Sequence, residues 1–327
     1  MSKPFRNGLV VGKFAPPHKG HQLLLETALS QCEFVTVLVY SNPDFPTMPS
    51  KTRASWIREL HPNATVLVPE NPPHNDADDF TQREFVKAFL EREHIAVDVV
   101  FTSETYGAGF AAHLQVEHVL VDLERLHIPI SGTRVRENVH ANREMLDPRI
   151  YRHFVQKVVF MGAESTGKST LTERLALEFQ TNFVAEYGRE VWMQKNGVLE
   201  LSDYVHIAVH HQKLEDAALL ASNRFLFVDT NAITTMFWCY AYEGAGLPEL
   251  TDLATAAQNR YDHVFVCNDD IPFVQDGWRD DAVWRSRQQS LILYDLTVRG
   301  VPYTLVSGSL EKRVKQVKAV LETRALF

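Results

Sequence analysis

The stretch "MGAESTGKST", residues 161–170, leaves the chain little freedom. It places Gly162, Gly167, Lys168 and Ser169 at the spacing G-x-x-x-x-G-K-[ST], directly after the apolar run "KVVF" and directly before the helical pattern "TLTERLALEFQ". Glycines at those positions let the backbone curl until successive N–H groups face one point at the positive end of a helix, which is a cradle for phosphate. In such a loop Lys168 reaches the β- and γ-phosphates, the Ser169 hydroxyl is a ligand for Mg²⁺, and Thr170 completes the set of contacting positions. The loop works only between a strand and a helix, so this part of the chain must alternate the two.

The alternation runs from end to end. Strand-length apolar runs fall at 8–12, 34–40, 64–68, 97–101 and 118–122, and again at 157–162, 182–188, 225–230, 263–268 and 301–307, with amphipathic segments between them. Continuous apolar strands separated by helices predict a parallel sheet covered on both faces. The polar stretch "HANREMLDPRIYRHF" (140–154) separates the two series. At 327 residues the chain is about twice a usual domain. The expectation is two tandem doubly wound α/β domains, 1–154 and 155–327.

Composition narrows the setting. Three scattered cysteines, Cys32, Cys239 and Cys267, form no CxxC pair, so neither a disulfide framework nor a zinc site is expected, and a reducing cytoplasm is. No run of about 18 apolar residues is present to span a membrane. The net charge of −8 gives no electrostatic reason to bind nucleic acid. Any phosphate site must overcome that sign locally.

Around the phosphate loop, Asp229 ends the run "FLFVDT", the Walker-B position for a metal-orienting acid, although a strand-end aspartate can also be merely solvated. "AEYGRE" offers Glu186 to orient or deprotonate an acceptor hydroxyl and Arg189 to hold a neighbouring group, and either can instead be a cap or a surface residue. "QDGWRDDAVWRSRQ" carries Arg279, Arg285 and Arg287, either an arginine lid over a transferring phosphate, with Arg279 placed at the nucleotide, or a solvated helix face. Trp192, Trp238, Tyr240 and Tyr242 can stack on a flat acceptor ring or fill the core; Tyr242 is taken as the substrate contact.

In the first half, "GKFAPPHKGH" (12–21) joins a strand to a helix at the first crevice of the sheet. Gly12, Lys13 and Phe14 open the turn as nucleotide-binding positions, Gly20 lets phosphate approach the backbone, and His18 and His21 can donate to its oxygens. "ISGTRVR" (130–136) supplies Ser131 as a helix cap, Thr133 in the first turn and Arg136 one turn on. Nothing here needs to be a covalent nucleophile. If the acceptor is an ionised phosphate, alignment and charge neutralisation suffice.

"HKGH" and "ISGTRVR" resemble the (H/T)xGH and ISxTxxR signatures of the nucleotidyltransferase superfamily. The order "GKFAPPHKGH … ISGTRVREN … GAESTGKST … AEYGRE … FVDTNAITT … QDGWR … RQQ" resembles the NadR type over essentially the whole chain. That resemblance implies a Rossmann-like nucleotidyltransferase domain followed by a P-loop kinase domain, ATP as substrate of both, and Mg²⁺. It implies that the second half phosphorylates ribosylnicotinamide on its 5′-hydroxyl and that the first half joins the mononucleotide to AMP, giving NAD and pyrophosphate. On the same ground His18, His21 and Arg136 hold ATP phosphates and stabilise the transition state, Lys168, Ser169 and Asp229 serve phosphate and metal, and Glu186 meets the riboside. The partners are then small molecules, with homo-oligomer formation left open. Some members of this type begin with a helix-turn-helix repressor domain; here only residues 1–7 precede the first strand, so that kind of DNA binding is not expected. Two rivals remain from the residues alone. One is another nucleotidyltransferase fused to a different nucleoside kinase, and the other is a nucleotide sensor without turnover.

Overall fold

A computed structural model of the chain describes residues 3–124, 126–274 and 282–323. The chain divides into two compact units, Met1–His153 and Phe154–Phe327.

The first unit runs β1 (Phe5–Gly12), α1 (Lys19–Gln31), β2 (Cys32–Val39), α2 (Ser50–Leu60), β3 (Thr65–Leu67), α3 (Asp79–Arg92), β4 (Val99–Thr102), α4 (Gly107–Leu114), β5 (Glu117–Leu120), α5 (Gly132–Glu137) and α6 (Pro148–Tyr151). Its sheet is parallel throughout, in the order β3-β2-β1-β4-β5. Neighbouring residues in each strand feed opposite faces. Val10, Val37 and Phe101 join Leu24, Leu25 and Ile57 on one side, while Leu9, Leu38 and Val100 join Val86, Leu90 and Phe110 on the other. Both faces are therefore apolar, which is why the strands read as continuous hydrophobic runs rather than alternating ones. The chain leaves β1 toward one edge and later returns to β4 on its other side, so the order reverses between β1 and β4. The crevice beyond their carboxyl ends is where such sheets take ligands.

The second unit runs β6 (Gln156–Met161), α7 (Lys168–Glu178), β7 (Phe183–Val184), α8 (Tyr187–Gln194), α9 (Leu201–Leu219), β8 (Phe225–Asp229), α10 (Ala232–Glu243), α11 (Pro248–Ala256), β9 (His263–Cys267), α12 (Ala282–Val298), β10 (Thr304–Val306) and α13 (Leu310–Thr323). The sheet order is β10-β9-β6-β8-β7, again all parallel. Phe160, Phe227 and Phe265 from three adjacent strands stack at 5.6–6.1 Å between ring centroids and pack with Leu171, Leu175 and Val317. Two edge strands are shorter than their sequence runs. β7 stops after Val184 because Glu186 is already the N-cap position of α8, and β10 begins only at Thr304, beyond Pro302, which has no N–H to give a ladder. All three cysteines are free and buried, Cys32 in the core of the first unit and Cys267 in that of the second.

One charged cluster lies inside the second unit. Glu215 of α9 is fully buried and accepts from Arg260 Nε at 2.7 Å and from the Tyr261 hydroxyl at 2.8 Å, with His211 Nδ1 at 3.3 Å. Burial opposes its charge, but the His211 hydrogen bond and the Arg260 guanidinium outweigh that and hold its carboxyl below the usual range. Removing one partner of a buried pair strands the other charge. Arg260→Leu is expected to destabilise the second unit by about 3 kcal/mol. The check is the urea midpoint followed by fluorescence of Trp192 and Trp238; a loss below about 1 kcal/mol, the value of an exposed pair, is incompatible with this account.

Candidate active sites

In the first unit the turn after β1 brings together what the sequence holds more than a hundred residues apart. Phe14 adopts a left-handed φ of +48° and is 1% exposed, its ring joining the core with Leu24 and Leu25 and lying 4.9 Å from the His21 imidazole. That fixes the path of Lys13 and of the residues leading to His18, the N-cap of α1. The His18 N–H donates to His21 Nδ1 at 3.3 Å, and the two imidazoles stack at 3.8 Å. An Nδ1 that accepts leaves Nε2 of His21 as the protonated nitrogen, a donor even in the neutral ring. A Cβ on Gly20 would stand 3.1 Å from His18 Cε1, so any other residue there pushes against the ring.

The second motif docks on that turn. Arg136 Nη1 donates to Ala15 O at 2.6 Å and Nη2 to Thr133 Oγ1 at 3.0 Å, and Ser131 Oγ caps α5 by accepting the Arg134 N–H at 3.2 Å. Gly132 lies so close that a Cβ would meet Ala15 O at 3.3 Å. Lys13, Lys19, Arg136, two imidazoles and the amino end of α1 thus share one end of the sheet. That arrangement can neutralise and align phosphates without forming a covalent bond.

One organising residue escapes a reading by motifs. Arg53 of α2 is fully buried and donates to Met48 O, Lys13 O, Ser41 Oγ, Ser50 Oγ and Asp44. It ties the β1 turn to the loop after β2. Its guanidinium and that of Arg136 both lie over the Phe45 ring, at 5.2 and 5.0 Å. The available signal was its position in "SKTRASWI", on the face of the helix that also buries Ala54, Trp56 and Ile57.

In the second unit Gly162 (φ +135°), Ser165 (φ +53°) and Gly167 (φ +80°) curl the loop between β6 and α7. Lys168 is nearly buried, its Nζ donating to Ala163 O at 2.9 Å, and Arg313 Nη1 holds Thr166 O at 2.6 Å. Phe160 of β6 pairs with Asp229 of β8, and the Thr230 N–H donates to Phe160 O at 3.0 Å. The register therefore sets Asp229 beside the loop, within hydrogen-bond reach of Ser169. Asp229 is 2% exposed, and its Oδ1 has no hydrogen-bond partner among the described residues. Burial, reinforced by the nearby charge of Glu186, pushes its carboxyl up to about 6 against the pull of Lys168, Ser169 and His211. A buried carboxylate with an unsatisfied oxygen next to a hydroxyl is an all-oxygen donor set of the kind Mg²⁺ takes.

Glu186, half-buried, stands at the N-cap of α8 without a side-chain capping bond. Arg189 is exposed on the same helix. The Tyr242 hydroxyl donates to Glu164 Oε1 at 3.2 Å, and its ring stacks on Trp238 at 5.6 Å and 15°. Tyr240 and Tyr242 are both about half exposed and are not core. Of the three arginines, Arg285 is buried, Arg287 is exposed and Arg279 lies outside the described residues.

Residues 9–138 match the family model described as Cytidylyltransferase-like, and residues 157–313 the one described as AAA domain. The fold is similar to crystal structures of a NadR protein in complex with NR (TM-score 0.72, 23% identical, covering 100% of this chain and 98% of that one) and with NAD and AMP-PNP (0.71, 22%, the same coverage). In sequence the chain is 30% identical to the trifunctional NAD biosynthesis/regulator protein NadR of Escherichia coli (strain K12), over 91% of this chain and 78% of that protein. The NadR of Salmonella typhimurium (strain LT2) gives the same identity and the same coverage. Two nucleotide-type sites on two parallel sheets, and this likeness running through both, place the chain in the NadR family.

Proposed function

We propose that the protein makes NAD in two ATP-dependent steps: residues 155–327 phosphorylate ribosylnicotinamide, and residues 1–154 adenylylate the resulting nicotinamide mononucleotide. The observation that carries this is the contrast between the sites. One is an array of donors with no nucleophile, and the other sets a phosphate loop beside a buried acid and a half-buried glutamate.

In the second unit the riboside hydroxyl must be aligned with the γ-phosphorus of ATP. Glu186, whose charge is felt by Asp229 beside the loop, is the group to orient that hydroxyl and take its proton, with Arg189 and Tyr242 holding the rest of the riboside. Lys168 and the loop N–H groups bind the β- and γ-phosphates and carry the charge of the transition state. Ser169 and Asp229 would hold Mg²⁺, which supplies charge neutralisation between the phosphates.

In the first unit the acceptor is already an anion, so no base is required. The phosphate of the mononucleotide attacks the α-phosphorus of ATP and pyrophosphate leaves. His18 and His21, through donors such as Nε2 of His21, and Arg136, anchored on Ala15 O, meet the charge that builds on the phosphate oxygens. Gly12, Gly20, Ser131 and Thr133 present backbone and hydroxyl donors around them. The partners on this reading are small molecules, with neither nucleic acid nor membrane among them; the net charge of −8 supports the first, and no helix among the described residues is long and apolar enough to cross a membrane. Three buried free thiols support a reducing cytoplasm.

Purified protein given ATP, Mg²⁺ and ribosylnicotinamide is expected to accumulate the mononucleotide and then NAD, followed by chromatography. Lys168→Ala should abolish the first product and leave adenylylation of added mononucleotide intact. His21→Ala should do the reverse, lowering adenylylation by roughly 10²–10³-fold. Loss of both activities from either change in a folded protein would sink the two-site reading.

Asp229→Asn provides a thermodynamic check. Because the carboxyl is raised, the folded state binds its proton more tightly than the unfolded one, and stability falls as pH rises from about 4 to about 6. Without metal or nucleotide, Asp229→Asn should be more stable than wild type at pH 7.5, by on the order of 2 kcal/mol, and no more stable at pH 4. It should also lose riboside phosphorylation. Urea titrations in EDTA at the two pH values decide it, and equal stability at pH 7.5 contradicts a costly buried charge.

A further inference from the structure

Helix α12 reaches the phosphate loop through two consecutive side chains. Gln288 is fully buried and Gln289 is 4% exposed, although glutamine is mostly a surface residue. Gln289 Oε1 accepts the Ala163 N–H at 2.9 Å, and its Nε2 donates to Cys267 O at 3.1 Å. Gln288 Oε1 accepts the Glu164 N–H at 3.4 Å. Two adjacent amides of the loop are thus held from one helix, and Gln289 also ties the loop to the end of β9. The approach is close: a Cβ on Gly162 would stand 2.7 Å from Cys267 O and 3.3 Å from Gln289 Oε1.

One turn toward the start of α12, on the same face, is Arg285. Its Nη1 donates to Ile271 O at 2.9 Å and its guanidinium lies over Phe273 at 5.4 Å. Two donors of this face, Gln288 Nε2 and Arg285 Nε, are buried and have no hydrogen-bond partner among the described residues. Buried donors are ordinarily paired, so a face that withholds two of them from the protein is suited to an acceptor-rich group.

We propose that Gln288 and Gln289 are positioning residues for phosphoryl transfer: they fasten the arginine-bearing helix to the phosphate loop, so that loop and Arg285 receive the triphosphate as one body. The inference rests on the kinase reading and adds to it the residues that carry nucleotide binding from loop to helix. Holding the arginine in place beforehand removes an ordering cost from the reacting complex.

The test uses the full chain with Gln289→Leu and, separately, Gln288→Leu. Riboside phosphorylation should lose roughly 10- to 100-fold in kcat in Gln289→Leu, with the riboside KM held within about twofold, because alignment rather than riboside binding is lost. Adenylylation by the first unit should not change. Hydrogen exchange with and without AMP-PNP and Mg²⁺ reads the coupling directly. In wild type the nucleotide should slow exchange in residues 162–170 and in 285–292; in both variants the slowing should persist in the loop and vanish from the helix. If Gln289→Leu loses protection throughout the second unit, Gln288→Leu, which breaks a single bond, decides. The proposal is overturned if the variants keep the coupled slowing, or if wild type slows only in the loop. A wild type that shows the coupling yet phosphorylates no riboside removes the acceptor assignment and leaves the tether standing.

Discussion

The pairing of Phe160 in β6 with Asp229 in β8 is a hydrogen-bonded register, and in a strand a slip of one residue turns every side chain to the opposite face. Asp229 reaches the phosphate loop only because that register holds, and the register holds because Val158, Phe160, Phe225 and Phe227 must all meet the same apolar layer. The first unit repeats the logic with different chemistry. β1 pairs Val10 with Phe101 of β4, both faces of the pair are buried, and the turn beyond Gly12 has one exit, onto α1. Core packing thereby fixes the polar geometry at the carboxyl ends of both sheets.

Electrostatics then works against the global sign. A chain of net charge −8 binds phosphates, on our reading, through local fields from helix amino ends, imidazoles, Lys168 and Arg136, while it stabilises other charges deep inside. Two buried arginines are taken up by protein oxygens: Arg53 in the first unit by carbonyls, serine hydroxyls and Asp44, and Arg313 in the second, which clasps Thr166 O, Gly308 O, Asn268 O and Asp270. Such residues are structural cations whose role is to hold loops. Asp229 is the opposite case, a buried acid left with an unfilled oxygen, and that difference separates scaffold from site.

Much of this was legible in the sequence. The strands of the described residues were, most plainly the central ones such as β4, β6, β8 and β9, which burial on both faces writes as apolar runs, and the parallel arrangement followed from the helices between them. The phosphate loop, the histidine turn and "ISGTRVR" were legible because each depends on local geometry that few residue types satisfy. What stayed hidden depends on distance. Arg53, Gln288, Gln289 and Arg313 act on backbone atoms as far as 147 residues away, as in the Arg313–Thr166 contact, and a polar residue in an amphipathic helix reads as solvated until its partners are seen. The burial of the Phe14 ring was hidden as well, since its place in a turn of the motif gives no sign that it packs between the core and the His21 ring.

The buried thiols carry one more consequence. Burial pushes both Cys32 and Cys267 up to about 11, so at neutral pH each is a protonated, shielded and therefore unreactive sulfur while its own sheet is intact. Because Cys32 lies in the first core and Cys267 in the second, the chain contains its own pair of chemical clocks. The rate at which a small alkylating reagent finds each sulfur reports how often that particular half opens, independently of whether the other half does.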